Sequence, residues 1–167
     1  MTEPPLFPDE LVAAADERRT SETFLDLYRD IVLAKVEGIS EEDARRRLVP
    51  SLTTIGGLVK HLRWVEFGWF DRLFADGAGD NRREHDRDWE FRVEPGETLA
   101  QFVLDYRAAC ARSREIAAGR SLEETVPHHR MGQVSLRWIY VHLIEETARH
   151  AGHLDILREQ IDGRTGD

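Results

Sequence analysis

The chain has 167 residues, 41% of them hydrophobic and 33% charged, which suits one domain with its own core. Its 23 Lys and Arg stand against 32 Asp and Glu, a formal charge of −9 that excludes a nucleic-acid binder relying on clustered cations. The single cysteine, Cys110, excludes an internal disulfide and fits a reducing compartment.

Along the chain, residues 1–19 read as a polar arm with Pro4, Pro5 and Pro8 and a helical turn around Leu11 to Ala15. The start, Met1-Thr2-Glu3-Pro4-Pro5, has neither the positive charge nor the apolar stretch of a secretory signal. A first long helix is expected from Ser21 to Glu37, with Phe24, Leu27, Tyr28, Ile31 and Ala34 inward and Gly38 as its stop. Ser40 caps a short helix that ends at Pro50, and Arg45-Arg46-Arg47 within it reads as a solvated face.

The second long helix runs from Thr53 to Ala75 on the stripe Ile55, Leu58, Val59, Leu62, Val65 and Trp69, and Asp76-Gly77-Ala78-Gly79-Asp80 ends it. Residues 76–97 form a charged loop anchored by Trp89 and Phe91, long enough to serve as a lid or binding segment. Thr98 caps a third helix to Ala118, with Phe102, Val103, Tyr106, Ala109, Cys110 and Ile116 inward. In that setting Cys110 reads as a small buried residue. Residues 119–134 read as a loop, and Ser135 caps a fourth helix that ends near Ile161 before Gly163.

Four long helical patterns with almost no strand alternation predict an all-α, antiparallel four-helix bundle with long crossover connections. The domain spans 20–163, between the arm at 1–19 and a tail at 164–167. No apolar run reaches the roughly 18 residues that cross a bilayer, so a soluble cytoplasmic protein is expected. Helices 1 and 2 carry apolar surface enough for a homodimer face.

The chemistry concentrates on the last helix. Glu146 and His150 lie four residues apart, just over one helical turn, so both project from one face and can ligate a divalent metal. His142 and His153 extend the same stripe. His142 falls one turn beyond that pair, and His153 can orient a ligand or act as a base. The alternative is a solvent-facing ladder in which Glu145 or Glu146 pairs with Arg149. A third ligand must come from elsewhere, and His61 stands on the mostly apolar face of the second helix, where an unpaired imidazole would cost about 1–3 kcal/mol. His128 and His129 are neighbours, so their side chains should diverge and not both face one site. His85 in the charged loop carries no expected role.

Thr54-Ile55-Gly56-Gly57-Leu58-Val59-Lys60-His61-Leu62 resembles the first ligand segment of the DinB-like superfamily. His142-Leu143-Ile144-Glu145-Glu146-Thr147-Ala148-Arg149-His150-Ala151-Gly152-His153 resembles the second, and the resemblance spans Ser21 to Gly163. These are metal-dependent four-helix bundles that include thiol S-transferases and a mycothiol-dependent maleylpyruvate isomerase. Many members bind metal through three histidines, which carries over here to His61, Glu146 and His150. Glu146 departs from the histidine of many relatives and resembles the isomerase pattern.

The resemblance implies a divalent ion, zinc first with nickel or iron as alternatives, and a low-molecular-weight thiol such as mycothiol as cosubstrate. Three protein ligands would leave a coordination position open. A metal-activated thiolate would attack a small electrophile in a pocket walled by Trp64, Trp69 or the 76–97 loop, which makes the chain a thiol S-transferase. The other readings are a hydrolase using bound water with His153 as base, and a non-catalytic dimeric metal-binding or stress-associated protein.

Overall fold

The computed structural model describes residues 5–75, 77, 85, 86 and 88–165. Its helices are α1 (Glu17–Val36), α2 (Glu41–Arg45), α3 (Ile55–Glu66), α4 (Arg72–Phe74), α5 (Leu99–Ala117) and α6 (Leu136–Asp162). A π-helical turn, Phe67–Asp71, joins α3 to α4, and short 3₁₀ turns occur at Glu10–Val12 and Trp89–Phe91. The fold is all-α and DinB-like apart from one small hairpin. No helix among the described residues is long and apolar enough to cross a membrane.

Each long helix starts where a side chain can satisfy a free backbone N–H. Asp16, Thr54, Thr98 and Ser135 accept from the backbone N–H of Arg19, Gly57, Gln101 and Trp138 respectively. Such caps contribute about 1 kcal/mol apiece. The last helix closes on Gly163, whose φ of 77° lies in the left-handed region that glycine enters without strain.

The helices pack as α1 along α6 and α3 along α5, with α3 also touching α6. Two apolar clusters fill the interior. One holds Val32, Val36, Leu58, Leu62, Phe102, Tyr106, Leu154 and Leu157, and the other holds Leu25, Val65, Phe70, Ile116, Ile139 and Leu143. On α6 the second cluster ends at Leu143 and the first resumes at Ala151. Glu146, Thr147 and His150 occupy that gap, opposite His61 on α3, so the polar group sits where the apolar clusters meet.

The structure differs from the sequence expectation at four places. α1 begins at Glu17 and buries Leu25, Arg29, Val32 and Val36, while Ala34 is exposed and Phe24, Leu27 and Ile31 are only half-buried. Arg29 sets this phase. Its guanidinium donates to both carboxylate oxygens of Glu66 at 2.7 and 2.6 Å, with side-chain exposures of 3% and 2%. A charge at the centre of the buried face hid the true stripe.

α2 stops at Arg45, short of Pro50, where the backbone turns extended at Arg46 (φ −67°, ψ 124°), and the Arg45 side chain donates to the carbonyls of Val93, Glu94 and Glu97. The second long helix is interrupted by the π turn. The loop expected at 119–134 contains β1 (Thr125–His128) paired antiparallel with β2 (Gly132–Ser135), the turn between them ending on Gly132 at φ 74°. Asp76, Ala78, Gly79 and Asp80 of the expected helix stop lie outside the described residues, as do parts of the arm, the charged loop and the tail.

Candidate functional site

His61 is 7% exposed on α3, and Glu146 and His150 reach toward it from successive turns of α6. Glu146 Oε1 lies 3.1 Å from His61 Nε2 and 3.2 Å from His150 Nε2. One donor atom from each of the three falls within 4.8 Å of the other two. Tetrahedral coordination with bonds of about 2.0–2.1 Å separates its ligand atoms by about 3.3 Å, so the two short separations fit a common ion. Two imidazole nitrogens and one carboxylate oxygen are also a donor set that zinc and its neighbours accept.

The chain around these residues fixes which ring nitrogen faces inward. His61 Nδ1 lies 3.5 Å from Glu90 Oε2, and the Phe91 ring stacks on the imidazole at 4.4 Å and 20°. His61 thus has a carboxylate at each ring nitrogen, and a proton kept on Nδ1 toward Glu90 would leave the Nε2 lone pair to an ion shared with Glu146. Similarly, His150 Nδ1 contacts His153 Nδ1 at 3.2 Å, leaving Nε2 to the cluster. Carboxylate and imidazole partners of this kind orient ligating histidines in metal proteins.

A network of contacts holds the Trp89–Phe91 turn against α3. Lys60 Nζ donates to Arg92 O at 3.0 Å and to Glu97 at 2.9 Å, and lies 4.4 Å from the Trp89 ring. Gly57 permits the contact: a Cβ there would meet Phe91 O at 2.3 Å. Glu90 was missed in the sequence because an acid in a charged loop has no periodic signal. The adjoining Phe91 and the glycine pair on α3 were the available clues.

The same contacts set the charges. Burial opposes protonation of His61, but hydrogen bonds with Glu146 and Glu90 outweigh it and raise its pKa. Hydrogen bonds from His150 and then His61 hold Glu146 well below the usual carboxylate range. Burial, then the neighbouring His150 and Arg149, lower the pKa of His153, so at neutral pH it carries a lone pair. Glu145, not Glu146, takes Arg149, so the surface ladder and the inward pair coexist on one helix.

A cavity of about 470 Å³ opens from His61 and Glu146 and runs between α3, the π turn, α6 and the hairpin. Trp64 and Trp69 both line it. His142 lies in its wall, 4.7 Å from the Trp69 ring, one turn along α6 from the cluster. His128 and His129 both line the cavity with ring centroids 4.5 Å apart, contrary to the expectation that they would diverge. Strand alternation ends at the hairpin turn, which brings the second ring back beside the first. His85 stacks on Trp89 at 3.8 Å, away from the cluster. Cys110 is buried on α5, and burial pushes its thiol far up, which removes it as a nucleophile.

A family model described as Mycothiol-S-transferase, within the DinB-like superfamily, matches residues 20–163. No curated protein matches the chain.

Proposed function

This chain belongs to the mycothiol S-transferase family, and on that premise we propose that it joins the sulfur of mycothiol, or a thiol like it, to a small electrophile at the His61–Glu146–His150 cluster. The observation that carries the proposal is the convergence of three donor atoms within 4.8 Å, two of whose residues, His61 and Glu146, line a 470 Å³ cavity. Structural metal sites are closed by four protein ligands, whereas three leave room for a reactant.

His61 Nε2, Glu146 Oε1 and His150 Nε2 would hold the divalent ion, zinc first, with nickel or iron accepted by the same donors. The ion supplies a Lewis acid that favours the deprotonated form of a thiol at neutral pH. Glu90 and Phe91 fix the His61 ring, and the buried stems of α3 and α6 keep the two imidazoles from turning away. His153, neutral and 3.2 Å from His150 Nδ1, accepts the Nδ1 proton of His150 and so holds its Nε2 toward the ion, while the thiol proton passes to water. The sulfur then forms one bond to the electrophilic carbon, and the displaced electron pair leaves with the departing group. With an aryl chloride the products are the thioether, chloride and a proton released to water.

Incubation of untagged protein with mycothiol and 1-chloro-2,4-dinitrobenzene, read as thioether by mass spectrometry, tests the proposal. Conjugation above the background rate, abolished by a chelator and restored by zinc, is expected. Loss of the electrophile at an equal rate without thiol would instead identify a hydrolase, and no rate above background from zinc-loaded protein would remove the transferase reading.

A further inference from the structure

The far half of the cavity, beyond the cluster, is built from rings. Trp69 stacks nearly parallel on His128 at 5.3 Å and 8°, and meets His142 edge-on at 4.7 Å. Trp138 lies 5.2 Å from Trp69 and stacks on His142 at 5.0 Å and 19°. These rings come from three separate elements, and their meeting depends on the backbone. Eight residues of regular α-helix would carry Trp69 about 80° round from His61. The π turn Phe67–Asp71 winds more slowly, and Trp69 stays on the wall of the cavity that His61 lines.

Trp138 nevertheless keeps 39% of its surface exposed. A large ring held by other rings but left partly open is a platform for a flat ligand, since indole faces favour offset stacking.

Among the described residues, the charged side chains in the same half are cationic. Arg72, on α4, and Arg130, at the hairpin turn, both line the cavity. Among the described residues its lining includes one carboxylate, Glu146, which contacts His61 and His150. Arg130 brings a guanidinium to the cavity in a chain of net charge −9. Guanidinium groups recognise carboxylates and phosphates through paired N–H donors.

We propose that the cavity takes a flat, conjugated molecule bearing an anionic group, its ring against Trp69 and Trp138 and its anion toward Arg130. The reacting carbon then points back to the His61–Glu146 end. This last assignment rests on the thiol-transfer reading; the ring and charge preferences do not.

Binding of three probes without thiol, followed by tryptophan fluorescence and by isothermal calorimetry, tests the proposal: 4-nitrobenzoate, the neutral 4-nitrobenzamide, and the saturated cyclohexanecarboxylate. In the parent, 4-nitrobenzoate binds about fivefold or more tighter than either comparison probe. Trp138→Leu weakens 4-nitrobenzoate by about three- to tenfold, whereas Trp138→Phe keeps most of the affinity. Arg130→Gln narrows the gap between benzoate and benzamide. Equal binding of acid and amide, equal binding of flat and saturated acids, or affinity unaffected by Trp138→Leu would overturn the proposal. Since no thiol or turnover enters, these outcomes leave the transferase reading to its own test. Active thiol transfer with failed probe binding would point to neutral or aliphatic electrophiles.

Discussion

Arg29 and Glu66 form a doubly hydrogen-bonded ion pair with almost no solvent contact, and Arg29 also donates to Asp26 at 2.8 Å. Removing one partner leaves the other charge buried and unpaired, at a cost of about 3–5 kcal/mol. Glu66→Leu should therefore lower the denaturation midpoint sharply, and Glu66→Leu with Arg29→Met should recover much of the loss. An unchanged midpoint in the single variant would show that the pair does not set the packing of α1. Asp26 supplies the pH dependence. Burial disfavours its charge, but hydrogen bonds from Arg114 and Arg29 outweigh that and hold it below its ordinary 3.8. A carboxylate depressed on folding stabilises the fold above its unfolded pKa and loses that contribution as pH falls through the folded value. The stability difference between parent and Asp26→Asn should thus stay level from neutral pH to about 5 and close below the ordinary carboxylate value. A gap that widens with acid would contradict the assignment.

Among the elements, the Trp89–Phe91 turn acts directly on His61. It places a carboxylate on His61 Nδ1 and a ring on the imidazole face, and Gly57 lets it approach α3 closely. Glu90→Gln keeps the shape but weakens the charge on the histidine's outer nitrogen. Zinc affinity measured by chelator competition should fall about 10–100-fold in that variant, with the fold's melting temperature nearly unchanged. Gly57→Ala should displace the whole turn and destabilise the fold by about 1–3 kcal/mol, because the obstructing atom is a backbone oxygen that cannot swing aside. Full zinc affinity in both variants would separate the turn from the site. The π turn has the complementary part, keeping Trp69 over the cavity while α3 continues into α4.

For the molecule as a whole, the four-helix architecture was legible because caps and apolar stripes agree along most of the chain. The α6 half of the cluster was legible too, since Glu146 and His150 repeat at the helical period on one face. Pairing them with His61 needed the resemblance to a known superfamily, because spacing within one helix says nothing about a neighbour 85 residues away. The phase of α1 was misread where a buried arginine stood in for an apolar residue. Glu90 and the hairpin escaped because contacts made by short loop segments are decided by tertiary packing. Of the walls expected from the sequence, Trp64, Trp69 or the 76–97 loop, both tryptophans line the cavity; Trp138 and the histidines joined it through the fold.

The central claim is that His61, Glu146 and His150 together hold one divalent ion. Elemental mass spectrometry on untagged protein, beside His61→Ala and Glu146→Ala, tests it most directly, with circular dichroism confirming that the variants fold. The account predicts close to one equivalent of zinc, nickel or iron in the parent and its loss in both folded variants. A parent that stays metal-free after reconstitution with zinc or nickel, or folded variants that keep their metal, would contradict it.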